Sequence, residues 1–140
     1  MPQDSANKSL MLSVTAAWKE GVMEPLFAAL HPHVVWRATA PREFFRFGGT
    51  HNGIVGVREY IALHASRYHI TQFHPRNVSA KGDQVWGLFE IEARHLPTGN
   101  TVKSDCSIRW TIQDGKITEH QAIFDTASVL MQQGMLTTAA

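Results

Sequence analysis

His120 and Asp125 are the side chains whose type and position best suit proton transfer. His120 lies inside the run Ile117–Phe124, and Asp125 follows that run directly. An imidazole titrates near neutrality and serves as acid or base. A carboxyl group enclosed by apolar neighbours has a raised pKa and can act as an acid. Both are expected to be the catalytic residues. Each also has a plain structural alternative. His120 fits a hydrogen-bonded core histidine or one at a subunit surface. Asp125 precedes Thr126-Ala127-Ser128-Val129-Leu130-Met131 and fits a helix N-cap.

A second group of residues suits ligand binding. His64 and Tyr68 share a stripe with Ile54, Val57 and Ile61 at helical spacing, and Tyr60 lies on the same helix. A polar group there would orient a ligand carbonyl; the alternative is a satisfied core pair. Trp36 and Trp110 suit flat apolar pocket walls or ordinary core. Alternation puts Cys106, Ile108 and Trp110 on one face of their strand, and His120 with Phe124 on one face of the next. These residues are expected to line a pocket. Cys106 has no histidine or basic partner close in sequence, so a small buried hydrophobe is the alternative to a nucleophile. His31 and His33 flank a proline without a third ligand, which reads as a surface turn rather than a metal site. No metal or cofactor is expected.

These side chains need a scaffold. Asp114-Gly115 between Ile108-Arg109-Trp110-Thr111-Ile112 and Ile117 is a hairpin signal. Strands are expected at 34–39, 71–79, 85–95, 101–113 and 117–124. Helices are expected from Ser9, over a short segment after Pro25, over 54–68, and from Asp125 to Gly134. On the strand from Val85, the set Val85, Gly87, Phe89, Ile91 and Ala93 is nearly all apolar and reads as the core face, with Glu90 outside. The loop 41–53 carries Phe44, Phe45 and Phe47, more aromatic surface than a solvated loop carries, so it is expected to pack over a pocket mouth or a partner subunit. Helices grouped with a mostly antiparallel sheet make an α+β fold.

A chain of 140 residues suits one domain, expected over 1–140 with residues 1–8 frayed. The single cysteine forbids an internal disulfide. No run approaches the roughly 18 apolar residues of a membrane span, and the N-terminus lacks a signal-peptide pattern. The cytoplasm is the expected location. A net charge of +1 without a basic cluster disfavours nucleic acid.

Five sequence words carry a family resemblance: His33-Val34-Val35-Trp36-Arg37, the helix start Gly53–Ile61, Asp83-Gln84-Val85-Trp86, Arg109-Trp110 with Asp114-Gly115-Lys116-Ile117, and Phe124-Asp125-Thr126-Ala127. In this order the chain resembles the nuclear transport factor 2-like superfamily, and within it the SnoaL-like and ketosteroid isomerase-related group. The resemblance implies a cone-shaped α+β barrel: a curved, mostly antiparallel sheet wrapped around N-terminal helices, an apolar pocket inside, and often a dimer through the outer sheet face. It also implies catalytic positions that this chain does not fill. Ketosteroid isomerases would place a tyrosine near Val14, an aspartate near Ala38 and an acid near Cys106. Limonene epoxide hydrolases would place an Arg-x-Asp at 101–103 and an aspartate near Ala122. Neither activity is expected. SnoaL-type cyclases would place an acid on or just after the last strand, where His120 or Asp125 could stand in.

The expectation is therefore a binder of small apolar molecules, acting as a cofactor-free isomerase, cyclase or dehydratase. The alternatives are a non-catalytic ligand carrier and an assembly module with a filled cone. A homodimer is expected from the apolar sheet face and the aromatic loop.

Overall fold

In the computed structural model, which describes residues 2–136, helices α1 (Pro2–Lys19) and α2 (Glu24–Ala29) precede strand β1 (Leu30–Ala38). A short β2 (Gly49–Asn52) and helix α3 (Gly53–Arg67) follow. The chain then runs through β3 (Tyr68–Lys81), β4 (Gln84–His95), β5 (Thr101–Gln113) and β6 (Lys116–Phe124) to α4 (Thr126–Gln132). The strands form one sheet in the order β2-β1-β6-β5-β4-β3, antiparallel except for the parallel pair β1–β6. The sheet curls without closing. Helix α1 packs against β3 and β4, and α3 against β1 and β2. Among the described residues no helix is long and apolar enough to cross a membrane.

The β5–β6 turn forms as its sequence demands. Asp114 and Gly115 both have positive φ, 52° and 75°, as a two-residue hairpin of this hand requires. The N-terminal segment corrects the expected fraying. Residues 2–8 belong to α1, because their polar side chains are committed to the β3–β4 turn. Gln3 donates to Asp83, Asn7 donates to the Gly82 carbonyl, and Asp4 accepts from the Gly82 amide. His31-Pro32-His33 lies within β1 instead of a turn. The β1–β6 register breaks between Leu30 and Val35, so the missing proline N–H falls where no ladder bond is needed. The loop after β1 contains β2, which simple alternation did not reveal.

Strand β3 shows why parity reading alone falls short. Its buried residues are Tyr68, Phe73 and Val78, five apart. Irregularities between Ile70 and Gln72 and between Pro75 and Asn77 each insert one residue and flip the facing parity. They also bend the strand, which lets the sheet wrap around α1.

Facing residues across the strands form rows. One row reads Trp36, His120, Trp110 and Val85 across β1, β6, β5 and β4. The Trp36 and His120 rings stack at 3.6 Å with 2° between planes. The Trp110 indole N–H donates to His120 Nδ1 at 2.8 Å. A nitrogen that accepts this bond carries no proton, so the bond selects the neutral imidazole. Burial, with a smaller contribution from the Arg109 charge, pushes the His120 pKa down to about 3. Met11 of α1 packs close behind Gly87 and Phe89. A Cβ on Gly87 would lie 2.2 Å from the Phe89 ring and 3.0 Å from the Met11 sulfur.

Two predictions come from this packing. Gly87→Ala should cost about 1–3 kcal/mol, measured as a lower urea midpoint, because neither the aromatic ring nor α1 can retreat freely. The second concerns pH. An unfolded imidazole titrates near 6.5, whereas His120 titrates near 3 and His64 of α3 near 4 in the fold. In that window only the unfolded chain takes up protons. Stability should be level above about pH 6.5 and fall as pH drops toward 4. His120→Gln keeps an acceptor for Trp110 but does not titrate. Its melting temperature should be lower at neutral pH and decline less steeply; an unchanged slope would refute this assignment.

Candidate functional site

Inward-facing residues change size along β1 and β5. Near the His120 row they are large: Val34 and Trp36 on β1, Trp110 and Ile112 on β5, and Val85 on β4, all buried. Toward the other end they shrink to Ala38, Cys106, Ser104, Ala93 and Ala122. The first end is packed solid, and the second leaves a hollow of about 90 Å³. That is well above the roughly 10–15 Å³ that one water needs. Trp36, His120 and Trp110 form its floor, one row below the alanines Ala38 and Ala122.

The open end is covered from two sides. The loop between β1 and β2 turns Phe45 and Phe47 inward, with Phe45 edge-on to Phe124 at 5.3 Å and Phe47 edge-on to Tyr60 at 5.7 Å. The loop can fold back this far because residue 48 is glycine. A Cβ there would meet the Ala40 carbonyl oxygen at 2.1 Å. His51 Nε2 reaches the Phe47 carbonyl at 2.8 Å, and Arg42 Nε donates to the Gly48 carbonyl at 3.1 Å, which holds the loop down. On the other side α4 brings Val129 over the hollow. Strand β6 ends at Phe124, opposite Cys106, so the start of β5 lacks a partner on that side. The Gln132 side chain takes the place of a strand there, accepting from the Lys103 amide at 2.7 Å and donating to the Lys103 carbonyl at 2.8 Å. Tyr68 donates to Gln133 at 2.6 Å and ties α4 to β3.

The lining is apolar apart from a few groups. Tyr60 and His64 of α3 both face the hollow, their ring centroids 6.1 Å apart. Burial raises the Tyr60 pKa above its usual phenol value, helped by the neighbouring Cys106 and slightly opposed by the Trp36 N–H. That indole N–H has no partner at bonding distance among the described residues. Burial pushes His64 down to about 4. One ring nitrogen each of His31, His51, His95 and His120 is hydrogen-bonded, His120 Nε2 being left without a partner, whereas among the described residues nothing bonds to the His64 ring. Burial pushes Cys106 up to about 12, so it stays a thiol and is a poor nucleophile. The Ser104 hydroxyl donates to the Asp105 carbonyl. At neutral pH the hollow thus offers an uncharged phenol donor and an uncharged imidazole.

Of the residues expected to bind a ligand, Tyr60, His64, Tyr68, Cys106 and Phe124 line the hollow. Trp36, Ile108 and Trp110 face the correct side but lie in the packed interior below it. His120 also faces inward, yet it is part of the floor and is not on the wall. Asp125 is an exposed helix cap, its Oδ1 accepting from the Ser128 amide at 3.0 Å; its carboxylate is not in the apolar interior. Phe45 and Phe47 line the hollow from the aromatic loop, whereas sequence patterning assigns no place in a pocket to the small residues Ala38, Ala93 and Ala122. The drop in size along the inward positions is the sequence signal that marks them.

Solved structures share this architecture. TerC, co-crystallised with polyporic acid, is 27% identical over 91% of this chain and 98% of its own, with a TM-score of 0.80. A nuclear transport factor 2-like protein from Burkholderia pseudomallei is 19% identical over 92% and 98%, with a TM-score of 0.82. A protein with a ketosteroid isomerase-like fold from Catenulispora acidiphila, solved with trimethylamine, is 16% identical over 91% and 93%, with a TM-score of 0.77. No curated protein matches the chain by sequence. Residues 13–120 match the SnoaL-like domain, from the first helix to the histidine of the floor, and the chain belongs to the SnoaL-like family of nuclear transport factor 2-like folds.

Proposed function

We propose that this protein binds a small apolar molecule bearing a carbonyl group and transfers a proton on it without a cofactor, as an isomerase or cyclase does. The observation that carries this reading is the pairing of Tyr60 and His64 on one apolar wall, both neutral at physiological pH. The Tyr60 hydroxyl would donate to the carbonyl oxygen, where negative charge develops as the adjacent C–H breaks. A His64 nitrogen would accept that proton and return it at another carbon, or the enolate would close a ring on a second carbonyl. Apolar walls raise the worth of each polar contact by excluding water. A neighbour co-crystallised with polyporic acid supports a small-molecule ligand.

A simple probe is α-proton exchange of phenylacetone in D2O, followed by NMR. His64→Gln should slow the protein-catalysed exchange about 100-fold. Tyr60→Phe should slow it by a similar factor of about 100. The rate should be level above about pH 5 and decline as His64 protonates toward its pKa of about 4. Exchange no faster than in buffer, with the ketone still bound, would favour a carrier. That second reading draws on the lining itself, which has no carboxylate.

We also infer a homodimer in the cytoplasm through the outer sheet face. Trp86, Leu88, Ile123 and Val35 are exposed there, and Leu88, Ser107 and Ile123 form one row across β4, β5 and β6. Light scattering at micromolar concentration should give twice the chain mass, and Leu88→Glu with Ile123→Glu should return the monomer. A wild-type monomer would refute the dimer.

A further inference from the structure

Two cations stand beside the hollow without a role. Arg46 and Arg67 line a recess of about 270 Å³ on the far side of Phe47 and Tyr68. Recess and hollow share Phe45, Phe47 and Tyr68 as walls. The connection follows from the chain itself. Arg46 lies between two phenylalanines whose rings turn to the hollow, and Arg67 immediately precedes Tyr68. Neither guanidinium has an ion-pair partner among the described residues, and no carboxylate lines the recess. Three other arginines are engaged: Arg42 with the Gly48 carbonyl, Arg76 with Glu90 and Asp105, Arg109 with Glu119 and Gln121. The Arg67 charge also reaches its neighbours in the recess, helping to keep the His95 ring neutral.

A guanidinium presents a planar fork of donors that matches a carboxylate. Two of them at the rim of an apolar hollow fit a molecule with a greasy body and an acidic end. We propose that the ligand is an amphipathic organic acid, its body in the hollow lined by Phe47 and Tyr60 and its carboxylate on Arg46 and Arg67. This rests on the reading of the hollow as a small-molecule site, and names the class of molecule it takes. The carboxylate also orients the molecule: the acid lies at the rim, and the carbon that reacts lies deeper, beside His64.

The test compares 4-phenylbutyrate with its uncharged amide, 4-phenylbutyramide, by titration calorimetry on the full chain. The acid should bind about tenfold more tightly, and raised salt should shrink the difference. In the double variant Arg46→Gln with Arg67→Gln, affinity for the acid should fall to that for the amide, while the amide is unaffected. Ala122→Phe, or Ala38→Leu if the first does not fold, fills the hollow and should abolish binding of both. Equal affinity in the wild type, with both lost when the hollow is filled, would overturn the arginine clamp and leave the hollow as a binding site. A preference for the acid that persists in the double arginine variant would also overturn it. Failure of both probes to bind, or binding that survives filling of the hollow, would overturn the reading of the hollow and the clamp with it.

Discussion

A single hydrogen bond, from the Trp110 indole to His120, sets the depth to which this fold is solid. It holds a buried imidazole in its neutral form, flat beneath Trp36, in a place where a charged ring would be costly. Three large rings abreast on neighbouring strands close the narrow end of the curl. They form the packed layer beneath the alanines that line the deep end of the hollow. Were His120 to take a proton, the bond would become a clash of two donors, and the floor would lose the contact that aligns β5 with β6.

Above that floor the protein builds a cavity by withholding volume. Alanines at 38, 93 and 122, with Cys106 and Ser104, occupy inward positions where larger side chains would meet. Close packing would normally erase such a void. It persists because the surrounding walls are rigid. Gln132 completes the free edge of β5, Tyr68 and Gln133 tie α4 to β3, and the glycine at 48 lets the aromatic loop close over the top. Stability at one end and vacancy at the other are two consequences of the same curled sheet.

The chemistry inside the hollow is set by what is absent from its wall. No carboxylate lines it, and the imidazole and phenol on its wall are kept neutral by burial. Groups of this kind can orient a guest and donate a hydrogen bond to it, but they carry no charge. Arg46 and Arg67 lie outside this apolar interior, on the neighbouring recess.

Much of this was legible in the residues. The Asp-Gly turn, the alternation of β4, β5 and β6, and the helix over α3 follow from local rules that do not depend on the rest of the chain. Family membership and the curled α+β architecture followed from the order of short sequence words. Parity correctly put His120, Trp110, Ile108 and Cys106 on one side of the sheet. It could not say how far along the cone each of them lies, so the floor was read as wall. The bulges of β3 changed its parity twice, and the helical start at residues 2–8 depended on partners in the turn at Gly82 and Asp83. On β4, β5 and β6 the sequence by itself determined which side chains face inward, because facing there is a matter of two-residue periodicity. Only the tertiary structure decided which of them meet open space. That depends on strand register, on curvature, and on the volumes of residues far apart in the chain.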